Sequence, residues 1–332
     1  MKIDLFTHFN PAEFSSYITA TELGRNVAPR WQQIETLVDL DARLALMDRF
    51  EDYVQILSLS NPAIEAYGAP DQTPEIARFA NDALADLCAS HKDRFPSFVA
   101  NLPMNNPAAA VEEARRAVTE LGAAGCLMYT NVLGRPLSEP EFFPVFEALA
   151  ELDRPIWLHP IRGPEHADYA TENRSEHEIW FTFGWPYETA AAMARIVFAG
   201  IFDKLPNIKI VTHHLGGLVP YLEGKIFMGF RQAAEGDFDA NPVAAEAGLK
   251  RPMSDYYRMF YGDTAVNGID KALECGMAFF GADHCLFASD APFDPLGGEH
   301  LIRESMRLID GLDEITREKI YSGNARRLIP GL

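Results

Sequence analysis

Apolar positions along the chain fall into two alternating rhythms. Short β-rich runs occupy KIDLF at 2–6, YVQILSL at 53–59, FPSFVAN at 95–101, GCLMYT at 125–130, PIWLH at 155–159, IKIVTH at 208–213, RMFYGDT at 258–264 and CLFASD at 285–290. Between them lie stretches such as EIARFANDALADLCASHK, AAAVEEARRAVTEL and EFFPVFEALAEL, whose apolar residues recur at i, i+3 and i+4, the spacing of an amphipathic helix. Each helix returns the chain so that the next strand can run parallel to the last. Eight such units without a break in composition predict one α/β domain over residues 1–332, a closed (β/α)8 TIM barrel. A doubly wound sheet fits less well, because no GxGxxG follows the first strand.

Two connections exceed what a barrel needs. Residues 9–38 form a long loop after the first strand, ending at a helix that starts near Asp39, and are expected to cover the barrel mouth. From Pro160 to about Tyr187 a second excursion carries Arg162, Glu165, His166, His177, Trp180, Phe181 and Trp185, a mixture of charge and aromatic surface expected of a lid or substrate wall. The tail ITREKIYSGNARRLIPGL reads as a capping helix pair.

Composition narrows the function. Of the 332 residues 48% are hydrophobic, and no apolar run reaches the roughly 18 residues of a membrane span. The N-terminus passes directly into a strand without the pattern of a signal peptide, so a cytoplasmic protein is expected. Net charge is −19, which disfavours nucleic acid as a partner because phosphate contacts need a basic face. Cys88, Cys126, Cys275 and Cys285 lie far apart with no CxxC pair, and are expected as small buried apolar residues rather than as a thiolate metal site or a disulfide framework.

In a barrel of this kind chemistry sits at the C-terminal ends of the strands. Those ends carry His8 after the first strand, His159 after the fifth, His213 and His214 after the sixth and Asp290 after the eighth. Imidazole and carboxylate donors suit a divalent transition metal, and a catalytic site needs about three of them plus an open position. Taken singly, each residue has a structural alternative: a histidine at a strand end often serves as a hydrogen-bonded support, and Asp290 before Ala-Pro can cap a turn. Their joint occurrence at four strand ends favours the site.

KIDLFTHFNP, IWLHP, GWPYETAAAMARIVFAGIFDKLPNIKIVTHHLGGLVPYLEGKI and LFASDAPFDPLGG together resemble the amidohydrolase superfamily, in its aminocarboxymuconate-semialdehyde decarboxylase-like branch. The resemblance runs from the first strand to NARRLI near the C-terminus. It implies that His8, His159 and Asp290 ligate a metal and that His214, in the H-x-G-G-x-x-P register, is catalytic; the donor types suit Zn2+ or alternatively Mn2+, and Asp290, beside the ion, is a further catalytic candidate as proton donor. His213 becomes its supporting neighbour. Phe181 and Phe293 match positions of aromatic substrate contacts. Arg162, beside the ligand loop, is a candidate for binding a substrate carboxylate through a bidentate pair, with a surface role as its alternative. One departure is plain: Phe6 stands where the family has His or Glu, and a phenyl ring donates no lone pair. Asp4 and Thr7 are poor substitutes on a regular strand.

The implied activity is a metal-dependent non-oxidative decarboxylation of an aromatic or unsaturated cyclic carboxylic acid, by a homodimer or larger homo-oligomer. Hydrolysis of an amide, lactone or C–C bond, or hydration of a double bond, would use the same residues. A third reading takes Phe6 as the mark of a barrel that has lost its metal and survives as a binding protein.

Overall fold

The computed structural model describes residues 1–232 and 248–332. Eight parallel strands follow one another in chain order: β1 (Lys2–His8), β2 (Tyr53–Ser58), β3 (Ser97–Asn101), β4 (Gly125–Tyr129), β5 (Ile156–His159), β6 (Ile210–Thr212), β7 (Tyr261–Asp263) and β8 (Cys285–Leu286). All eight fall inside the runs read from the sequence except β1, which extends two residues further to His8. Backbone hydrogen bonds from Leu5 to Phe287 (2.9 Å) and from Asp290 to Phe6 (3.1 Å) join the last strand segment to the first and close the (β/α)8 barrel.

Strands covered on both faces need apolar residues on both, so two cores form. Ile3, Leu5, Val54, Ile56, Val99, Leu127, Trp157, Val211 and Leu286 fill the barrel itself, and Ala325, Leu328 and Ile329 of the tail join them. The indole of Trp157 crosses the interior and donates to the carbonyl of Leu5 at 3.1 Å. A side chain this large and 2% exposed would cost about 3–5 kcal/mol on truncation to alanine. The outer core lies between strands and helices. On the helix Thr73–Ser90, for example, Ile76, Ala77, Ala80, Leu84 and Cys88 share the buried face.

A buried polar chain supports β1. Arg43, fully buried, donates to the carbonyls of Thr36 (2.8 Å) and His8 (2.5 Å) and to Oε1 of Gln55 (3.0 Å). Gln55 donates to the Tyr53 hydroxyl (2.8 Å), which donates to Asp4 (2.6 Å). Asp4 thus lies behind the strand; burial pushes its carboxyl up to about 7 despite these donors.

Three expectations need correction. Residues 9–38 are not an irregular loop but contain the helices Ala12–Ile18, Glu22–Trp31 and Glu35–Val38. Phe14, Ile18, Trp31 and Leu37 are buried there, and Thr21 caps the second helix by accepting from Gly24 at 3.0 Å. The excursion after β5 is not a loop throughout: Trp180 and Phe181 lie on the helix Ile179–Thr182 and Trp185 on the helix Gly184–Phe198. The tail does form a helix pair, Glu314–Glu318 and Asn324–Leu328, joined by a π-type turn, Lys319–Gly323. Cys275 is only partly buried, unlike the other three cysteines. Among the described residues no helix is long and apolar enough to cross a membrane.

Candidate metal and catalytic site

A register shift between Asp4 and Thr7 breaks the alternation of β1. After that bulge Phe6 and His8 both join the interior side, where Leu5 already lies. The Phe6 ring sits 4.8 Å from the ring of His8, 5.6 Å from that of His159 and 4.7 Å from that of His213. It forms an apolar floor beneath three imidazoles.

Each of those imidazoles is held through Nδ1. His8 faces the carbonyl of Leu59 at 2.9 Å, His159 that of Pro160 at 2.6 Å, and His213 the carboxylate of Asp263 at 2.5 Å. An N–H on Nδ1 satisfies each acceptor and leaves Nε2 turned toward the site, the orientation typical of metal-ligating histidine. Nε2 of His8 lies 3.2 Å from Asp290 Oδ1, and Nε2 of His213 lies 3.5 Å from the same oxygen. The latter is an ion-pair distance without a hydrogen bond, and His213 Nε2 is a buried atom lacking a hydrogen-bond partner. His159 stacks on His213 with centroids 4.9 Å apart.

His214 is placed by strained backbone. It and Leu215 adopt φ of 50° and 48°, the left-handed region that costs non-glycine residues about 1–3 kcal/mol each. Asp263 fastens this turn by accepting from the His214 backbone N–H at 2.9 Å and from that of Ala265 at 3.1 Å. Gly217 completes it at φ +59°, where a Cβ would come within 2.7 Å of the Pro186 carbonyl. The His214 Nδ1–H donates to the carbonyl of Ala265, so Nε2 is free, 3.9 Å from Asp290 Oδ2. Asp290 also has a left-handed φ of 62°, and the preceding Ser289 N–H donates to Asp4 at 3.0 Å.

Electrostatics divide these groups. Burial, then the neighbouring charge of His213, lowers the His214 imidazole and keeps it neutral. His159 is pushed well below its ordinary value by burial and by His213 and His8. For His213 burial acts downward, but Asp263 and Asp290 on either side reverse it and raise the ring to about 10. Asp290 is likewise raised by burial, and His213, His8 and His214 more than offset this, leaving it well below the usual carboxylate range. The carboxylate is therefore an anion ringed by imidazoles. Such a donor set fits a divalent cation: imidazole Nε2 atoms converge on one carboxylate in a largely buried setting, and a bound cation would take the place of the proton on His213.

His8, His159, His213, His214 and Asp290 thus meet at one place. Among the described residues the metal-capable trio whose donor atoms all lie within 4.8 Å of one another is His213, His214 and Asp290. His213, expected as a supporting neighbour, has its Nε2 in the centre. The Phe293 ring stands 5.1 Å from His8, and the residue is 45% exposed, so it borders the site. Phe181 lies one ring further out, 4.7 Å from Trp185, which in turn is 5.5 Å from His159. Arg162 is partly buried and already donates to Glu188 at 3.2 Å. His166 and His177, between β5 and the helix Ile179–Thr182, are exposed and pair with the adjacent Glu165 and Glu176. Asp263 escaped the sequence reading because a lone acid inside RMFYGDT has no ligand spacing; its place at the end of a strand was the one available signal.

An amidohydrolase family model matches residues 7–331. The chain is 34% identical to the γ-resorcylate decarboxylase of Rhizobium sp. over 90% of either chain. With the 2-amino-3-carboxymuconate-6-semialdehyde decarboxylase of Dictyostelium discoideum it shares 28% identity over 86% of this chain and 75% of the other. The crystal structure of a dihydroxybenzoic acid decarboxylase from Polaromonas sp. JS666, with bound manganese and the inhibitor 2-nitroresorcinol, superposes with a TM-score of 0.80 at 30% identity, covering 98% of this chain and 96% of that one. The chain belongs to the amidohydrolase family, in the branch that holds these decarboxylases.

Proposed function

We propose that the protein is a metal-dependent, non-oxidative decarboxylase of an aromatic or unsaturated cyclic carboxylic acid. The observation that carries this is the convergence of the Nε2 atoms of His8 and His213 and the side chain of His214 on the partly buried carboxylate of Asp290. Its relatives in the branch, which are decarboxylases, support the reaction class. His8, His159 and Asp290 would hold the ion, with zinc as the first candidate and manganese, found in the Polaromonas structure, as the second. When bound, the ion supplies Lewis-acid polarisation of substrate oxygens.

The reaction exchanges a carboxylate for a proton: the ring–carboxyl bond breaks, CO2 leaves, and a proton enters at the same carbon. His214, neutral and with Nε2 free, is suited to take a proton from a substrate hydroxyl. From there the proton can pass to Asp290 Oδ2, 3.9 Å away, and the transiently protonated acid would deliver it to the carbon that loses CO2, while a proton from solvent restores the product hydroxyl. Phe293 and Trp185 would flank the substrate ring and exclude water. Arg162 would meet a carboxylate by exchanging its contact with Glu188.

The test is release of CO2 from a panel of hydroxybenzoic acids by protein loaded with Zn2+ or Mn2+. Stoichiometric CO2 and the decarboxylated phenol are expected, while consumption of substrate without CO2 would replace the reading by hydrolysis or hydration. The proposed enzyme is a homodimer or larger assembly, which sedimentation would check.

A further inference from the structure

Four imidazoles and one carboxylate meet where the proposed ion needs only three ligands, and His213 is the histidine left without a task. Its side chain is 2% exposed, and the Asp263 carboxylate fixes its Nδ1 at 2.5 Å. The other ring nitrogen is buried, has no hydrogen-bond partner, and lies 3.5 Å from Asp290 Oδ1. A buried polar atom in that state is destabilising unless something binds it. One nitrogen is hydrogen-bonded to the protein, and the other has only the 3.5 Å ion-pair contact with the carboxylate expected to ligate the ion. Two of the expected ligands are immediate neighbours, His159 stacked at 4.9 Å and His8 on the same Asp290 oxygen. The fourth histidine is different: His214 spends Nδ1 on Ala265 and holds Nε2 on the other oxygen, Oδ2.

Phe6 explains why the place is available. Its ring packs against His8, His159 and His213 and contributes no donor, so β1 supplies one ligand atom to this floor rather than two. The ring that stands across from Phe6, at 4.7 Å, is His213.

We propose that His213, through Nε2, is a fourth protein ligand of the bound divalent ion, joining His8, His159 and Asp290, with Asp263 as the carboxylate that orients it. This rests on the metal-binding part of the proposed function and is independent of the reaction catalysed. The ligand that β1 lacks at Phe6 is then supplied by β6. A carboxylate behind a metal-bound imidazole is a recurrent arrangement, and its removal alone weakens binding by about 10–100-fold.

X-ray absorption of the zinc-loaded wild-type chain counts imidazoles directly: three are expected, and two would overturn the assignment. Titration of metal-stripped protein with Co2+ and Zn2+ provides the second readout. His213→Ala and His213→Asn should each bind at least about 100-fold more weakly while keeping the wild-type circular dichroism. Adding Phe6→Glu to His213→Ala should restore affinity. Wild-type affinity in both single variants would refute a ligand role for His213 and leave the metal site standing. Failure of the wild-type chain to bind Zn2+, Mn2+ or Co2+ would instead remove the metal site itself, and this inference with it.

Discussion

Glu65→Gln should make the protein more stable, and increasingly so as pH rises. Glu65 follows β2 in a short helical turn, is 3% exposed and has an Oε1 atom without a partner. It faces Asn101 and Tyr129 in a small pocket, and burial pushes its carboxyl from 4.5 up to about 7. An acid raised on folding holds its proton more tightly in the native state, so stability falls as pH climbs from 4.5 to about 7 and is level beyond. At ~1.4 kcal/mol per pH unit the full cost is ~3 kcal/mol above pH 7 and about 1 kcal/mol at pH 5. Glutamine has the same shape and no charge to bury. Urea unfolding of both proteins at pH 5 and pH 8, with chelator present throughout, should show the variant's advantage growing by about 2 kcal/mol. An advantage equal at the two pH values, or a less stable variant at pH 8, would refute the reasoning.

His214→Ala should lower kcat by about 10²–10⁴-fold with the metal content per chain unchanged, since this residue is assigned to proton transfer; both are measured on one preparation. Arg43→Ala leaves the carbonyls of His8 and Thr36 and the Gln55 amide oxygen without their donor, and should cost about 3–5 kcal/mol in denaturant unfolding. Gly217→Ala combines a left-handed φ with a Cβ 2.7 Å from a backbone oxygen, and should lose about 1–3 kcal/mol of stability together with activity, because the His214 turn must shift; melting and kcat check it together.

The barrel was legible because its strands are buried on two faces and read as continuous apolar runs separated by amphipathic helices. YVQILSL and GCLMYT delimit β2 and β4 to within a residue. The segment 9–38 misled because its helices are short and depend on tertiary burial: Phe14, Ile18 and Trp31 are too widely spaced to announce a periodicity. In the site, the side chains at strand ends could be named, but not their second partners. Nothing in IKIVTH reveals that the turn after β6 places two adjacent histidines on one carboxylate, since that needs positive φ at both His214 and Leu215. The β1 bulge is equally silent in KIDLFTH, and it decides that Phe6 joins the site floor.

That floor has an electrostatic consequence on the proposed ligand set. A divalent ion held by His8, His159, His213 and Asp290 meets only one anionic donor, because the three imidazoles are neutral when they ligate. A carboxylate at position 6 would add a second negative charge beside the ion and oppose an anionic substrate; phenylalanine adds none. The more distant Asp263 is already engaged with His213 and two backbone N–H groups. In a chain of net charge −19 the proposed site would then keep a locally positive centre beside Phe293. Phe6→Glu alone should weaken binding of a carboxylate substrate, raising KM at fixed metal occupancy, whereas an unchanged KM would mean that the charge at this position does not reach the substrate.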